Sequence, residues 1–167
     1  MKRHPTLRQL FELARDNAVR IFREQGEITP IWHAVPEGGG DHLLIATPWN
    51  NDEEKEMALE AIRDMFQEMR VQSYVNIVEA WTVQLQDRVA SNEAGPPWPR
   101  PSEHPDRREV VRVTAEDRNG KSISGQFYIL RPELGEAKLS PFHEDPPEMI
   151  LAGRMSGLLT PATGGPH

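Results

Sequence analysis

Residues 73–85, Ser73-Tyr74-Val75-Asn76-Ile77-Val78-Glu79-Ala80-Trp81-Thr82-Val83-Gln84-Leu85, decide the fold. Val75, Ile77, Trp81, Val83 and Leu85 recur at every second position, the pattern of a strand that buries one face. Tyr74, Asn76, Ala80, Thr82 and Gln84 form the other face, which water tolerates, so cover on one side only is expected. Glu79 interrupts the apolar series between Ile77 and Trp81. A carboxylate there is costly unless it is paired or hydrogen-bonded.

Working outward, the preceding segments alternate between helix and strand periods. Leu7, Leu10, Phe11, Ala14, Ala18, Ile21 and Phe22 fall at three- and four-residue spacings and predict an amphipathic helix over residues 6–25. Pro5 and Thr6 suit its start and Gly26 its stop. Two strands follow, Ile28 to Val35 and His42 to Thr47, joined through Gly38-Gly39-Gly40. The triple glycine lacks the lysine and following helix of a phosphate cradle and reads as a hairpin loop. A second helix opens at Asn50, Asn51 or Asp52, with acidic residues in its first turn facing the positive end of the helix dipole. Its expected buried stripe is Ala58, Ala61, Ile62, Met65, Phe66 and Met69.

Beyond the central strand, residues 86–108 carry Pro96, Pro97, Pro99 and Pro101, which remove ladder donors and predict a long extended loop. Trp98 is the residue expected to pin it to the core. Glu109 to Glu116 and Lys121 to Leu130 then form a hairpin through Asp117-Arg118-Asn119-Gly120, the composition of a type I turn with a glycine bulge. Gly125 inside the second strand marks a bulge or a close backbone approach. The compact domain is thus expected to span residues 1–131. Residues 132–167 form a Pro/Gly-rich extension in which Met149 to Leu159 is a short apolar piece. One five-stranded antiparallel sheet with two helices on one face, in the order α-β-β-α-β-β-β, satisfies every stripe and defines an α+β domain.

That order resembles the profilin-like, roadblock and longin group of small α+β domains, a likeness of topology over residues 6–130. Glu79-Ala80-Trp81 together with Pro101-Ser102-Glu103-His104-Pro105-Asp106-Arg107-Arg108-Glu109-Val110-Val111 resembles a family of uncharacterised small proteins of bacteria and their phages. The second resemblance implies a microbial setting, including mobile elements, and no activity.

Composition narrows the function classes. The 167 residues carry a net charge of −7, which argues against general nucleic-acid binding; a local basic stripe would have to come from Arg8, Arg15, Arg20 and Arg23. With no cysteine, disulfides, thiolate metal sites and a cysteine nucleophile are excluded. No apolar run reaches the ~20 residues needed to cross a bilayer, and a cytoplasmic location is expected.

The chemistry-bearing residues gather in two places. Glu103, His104, Asp106, Arg107 and Arg108 form the densest polar cluster and, with Trp98, the expected binding surface. His143-Glu144-Asp145 forms a second. The expected use of Glu79 is an ion pair with Arg107, Arg108 or Arg112; the alternative is a catalytic acid acting with His104 and Asp106. A metal bound by His104, Asp106 and His143 belongs to that alternative. No cofactor signature is present. The reading that the sequence favours is a non-enzymatic protein-interaction or regulatory module with a protein partner, compatible with a dimer. A small enzyme or metal protein is its rival.

Overall fold

The computed structural model describes residues 4–82, 105–147 and 157–159. In chain order these form α1 (Leu7–Gln25), β1 (Ile31–Pro36), β2 (Leu43–Ala46), α2 (Asp52–Glu68), β3 (Val71–Thr82), β4 (Arg108–Asp117), β5 (Ser122–Leu130), β6 (Lys138–Leu139) and β7 (His143–Glu144). Local chemistry sets the helix ends as expected. The Thr6 hydroxyl accepts from the Gln9 N–H while the Gln9 side chain accepts from the Thr6 N–H, a reciprocal cap, and Gly26 stops α1 in the left-handed region at φ 74°. The Asn51 side chain caps α2 by accepting from the Glu54 N–H.

All strand pairs are antiparallel, in the order β2-β1-β3-β4-β5-β6, with β7 also pairing with β5. β3 lies in the middle, between β1 and β4, as its sequence suggested. The β4–β5 turn keeps Gly120 at φ 83°, and the Asp117 carboxylate accepts from the Asn119 and Lys121 N–H groups. The expected α+β class with an antiparallel sheet therefore holds. None of the helices among the described residues is long and apolar enough to cross a membrane.

Two features correct the expected arrangement. The helices lie on opposite faces of the sheet rather than together. Leu10, Phe11, Ala14, Ala18 and Phe22 of α1 pack with Val35, Val75, Ile77, Val111, Val113 and Phe127. Leu59, Ile62 and Phe66 of α2 pack with Trp32, Ala34 and Tyr74, which alternate with the first set along the same strands. β3 is thus covered on both sides over its first half, and Tyr74, expected on the solvent-tolerant face, is buried. Towards its end the cover stops, and Trp81 is 41% exposed despite lying on the apolar series. Val83 and Leu85 lie outside the described residues.

The sheet also gains two short strands beyond Arg131, from a stretch expected to be an extension. β6 pairs with β5 through Leu139 and Ile129, and β7 through His143 and Gln126. Phe142 lodges between Phe11 and Phe127, with ring centroids 5.7 and 4.8 Å away. Leu158 joins the core under α2.

Gly125 makes the β7 docking possible. A Cβ on it would stand 2.7 Å from the His143 carbonyl oxygen and closer still to Phe142 Cζ. The close approach expected from a glycine in mid-strand is therefore real. Gly125→Ala is expected to cost about 1–3 kcal/mol through forced repacking. Denaturant melts would read the loss, and an unchanged midpoint would mean that β7 does not sit on β5 in solution.

Candidate functional site

The end of the sheet near Glu79 is assembled by the chain leaving α1. After Gly26 reverses direction, Ile28 returns beside β3, and its N–H donates to Glu79 Oε1 at 2.8 Å. Next to it an open cleft of about 710 Å³ runs between the end of α1 and the β5–β6 edge, lined in part by Val19, Phe22, Arg23, Arg131 and Lys138. Arg131 grips Glu109 through two hydrogen bonds, 2.5 and 3.1 Å long. Glu79 is exposed at this end of the strand, and partial desolvation of its carboxyl pushes it above the usual carboxylate range, with Glu109 and Glu27 acting in the same direction. The Ile28 N–H and the Arg131 charge oppose the shift.

None of the three arginines expected to bridge Glu79 occupies that role in the geometry seen. Glu79 is cross-strand to Val111, whereas Arg112 is cross-strand to Val78, so the two side chains leave opposite faces. Arg112 instead binds Asp145. Arg107 lies over the Trp81 ring at 4.8 Å and Arg108 over the Tyr128 ring at 5.6 Å, both at distances suited to cation–π attraction. A backbone N–H, from a segment that sequence spacing gave no reason to suspect, supplies the Glu79 partner.

Glu79→Ala removes the acceptor of the Ile28 N–H and is expected to cost about 1–2 kcal/mol, whereas Glu79→Gln keeps an acceptor and should cost less. The pH dependence has a definite sign. The folded carboxyl holds its proton more tightly than the unfolded one, so its contribution favours the fold at low pH and is lost as pH rises through the raised value. The melting temperature of Glu79→Gln relative to wild type should therefore climb as the pH rises out of the ordinary carboxylate range. A fall with rising pH would show that a cation, not desolvation, governs Glu79.

The second polar cluster is divided between the two faces of the sheet. Arg112 Nη2 meets Asp145 Oδ2 at 2.6 Å and Ser124 Oγ at 3.3 Å, Nη1 reaches Gln126 Oε1 at 3.1 Å, and the Ser124 hydroxyl donates to Asp145 at 2.5 Å. Glu144 points to the other face and pairs with Arg8 of α1, which holds its carboxyl below the usual range. β7 is clipped on both sides. His143 sits edge-on to Tyr128 at 5.6 Å. Among the described residues no three His, Asp or Glu side chains are grouped to hold a metal ion. Asp106 occupies an exposed turn before β4, while Trp98, Glu103 and His104 lie outside the described residues.

The methionines of α2 do not fill the core. Met65 and Met69 are expected in its buried stripe, yet Met57 is 65% exposed, Met65 37% and Met69 42%. The core stripe is Leu59, Ile62 and Phe66, and Ala61 is exposed with the methionines. Met57, Ala61, Met65 and Met69 follow one another at four-residue spacing, which forms a ridge along a helix. Glu56, Glu60, Asp64 and Glu68, each one residue earlier, form a parallel row that is exposed throughout. The outward side of α2 thus presents an apolar seam bordered by carboxylates. Comparisons with protein-family models, with curated proteins and with solved structures return no match to this chain.

Proposed function

We propose that this chain is a non-enzymatic protein-interaction module that receives its partner on the outward side of α2. The supporting observation is the exposure of Met57, Met65 and Met69 on a helix whose core contact is already made by Leu59, Ile62 and Phe66. Methionine side chains are unbranched and polarizable and adapt to varied partner surfaces. The Glu79 carboxylate has a structural use in accepting from the Ile28 N–H, which accounts for its place in the strand without acid–base chemistry.

A photo-reactive benzoylphenylalanine at position 61, expressed in the native host, tests the reading. It is expected to trap a discrete protein product. The same residue at position 134, where Leu134 is 91% exposed but away from α2, should not trap that product. Met65→Glu combined with Met69→Glu should abolish the product without altering the melting curve. Crosslinks from position 134 with none from position 61 would move the docking face elsewhere.

A further inference from the structure

The outward side of α2 carries two rows with different chemistry. Met57, Ala61, Met65 and Met69 climb about 18 Å along the axis, and each step of four drifts around the helix by about 40°. Glu56, Glu60, Asp64 and Glu68 keep the same spacing one residue behind, so the apolar seam has a carboxylate border along its whole length. Over α2 as a whole, seven carboxylates stand against Lys55 and Arg63. Lys55 lies over the Trp49 ring at 5.7 Å. The border is therefore a sustained negative field beside a hydrophobic strip.

We propose that the occupant of this face is a basic amphipathic helix of a partner protein, an inference that rests on the reading of α2 as the docking face. Its apolar side chains pack between the methionines, ridge against groove, and its lysines and arginines meet the carboxylate row. Charge complementarity selects this occupant over the others. A second copy of the chain would bring one acidic row against another, on molecules that each carry a net charge of −7. An anionic membrane surface meets the same repulsion. An extended strand seeks the unpaired backbone of a sheet edge, which a helix face does not offer.

Three labelled synthetic peptides of about 14 residues separate these outcomes, with fluorescence anisotropy on the full chain as readout. One is Leu/Lys with helical period, one has the same composition in strict alternation, and one is Leu/Glu with helical period. The helical Leu/Lys peptide is expected to bind at least ~10-fold more tightly than either other peptide. Its binding should weaken on going from ~0.05 to ~0.5 M salt. Ala61→Lys with Met65→Lys should lose at least ~10-fold in affinity, while Leu134→Lys should lose nothing. Both replaced residues on α2 are exposed, and an unchanged melting curve verifies the fold.

Preference for the alternating peptide would assign the partner to a sheet edge and overturn the inference. Equal binding by the Ala61→Lys/Met65→Lys variant would reduce the effect to general charge attraction and also overturn it. If no peptide binds while position 61 still crosslinks a protein, the docking reading stands and the basic-helix partner is wrong. A crosslink from position 61 to a second copy of this chain would likewise rule out the basic helix as the occupant.

Discussion

Trp32→Ala is expected to lower the unfolding free energy by about 3–5 kcal/mol, the cost of emptying a large buried site. The indole is fully buried, meets Phe66 edge-on at 6.3 Å and Tyr74 at 6.1 Å, and donates from Nε1 to Thr47 Oγ1 at 2.9 Å. Phe66 and Tyr74 also touch each other at 5.2 Å, so one aromatic triad seats α2 on the sheet. The Tyr74 hydroxyl donates to Glu116, which also accepts from the Gly157 N–H at 2.8 Å beside the buried Leu158. Loss of Trp32 opens a space between layers that Leu59 and Ile62 cannot fill.

Denaturant melts would give the magnitude, and amide exchange would show where it falls. Exchange in α2 should accelerate more than exchange in α1, which packs on the other face with its own core. A loss below about 1 kcal/mol, or equal acceleration in both helices, would contradict two separately covered faces. The comparison also bears on the docking proposal, because a loosened α2 should bind the basic helical peptide less tightly although no exposed methionine has changed.

Arg112→Ala is expected to cost about 3 kcal/mol, because it leaves the mostly buried Asp145 carboxylate without its charged partner. Asp145 retains the Ser124 hydroxyl and its own N–H bond to the Ser124 carbonyl, which keeps the loss at the lower end for such pairs. Replacing both partners by apolar side chains of similar size, Arg112→Met with Asp145→Leu, should recover much of the stability, since no charge is then left stranded. Melts of wild type, Arg112→Met, Asp145→Leu and the double variant form a cycle. Additive losses would show that the two groups are not coupled in solution. In Arg112→Ala the ion pairs that hold β7 are reduced to the exposed Arg8–Glu144 pair, whose contribution is small. Exchange at residues 143–145 should rise accordingly.

The sequence by itself determined the elements whose cause is local. Thr6 and Gly26 bound α1 because a side-chain cap and a left-handed residue act within one turn. Gly120 fixed the β4–β5 turn, and alternation from Ser73 to Thr82 placed a strand at the centre of the sheet. Gly125 signalled a close approach but not its occupant, since Phe142 arrives from a proline-rich stretch with no period of its own.

Tertiary structure alone decided which faces are covered. Tyr74 and Asn76 suit either water or a second layer, so alternation could not reveal that α2 would cross to the other side. On α2 itself, Leu59 and Met65 are both apolar enough for the core. The rotation that buries Leu59, Ile62 and Phe66 follows from the fit of Phe66 against Trp32 and Tyr74, and it leaves the methionine seam and its carboxylate border outside. The partners of the charges were equally hidden. Arg112 finds Asp145 33 residues on, Arg8 finds Glu144 136 residues on, and Glu79 finds the Ile28 N–H 51 residues back. Ion pairs and hydrogen bonds act over a few ångströms in space, and only the folded sheet brings those distant positions within that range.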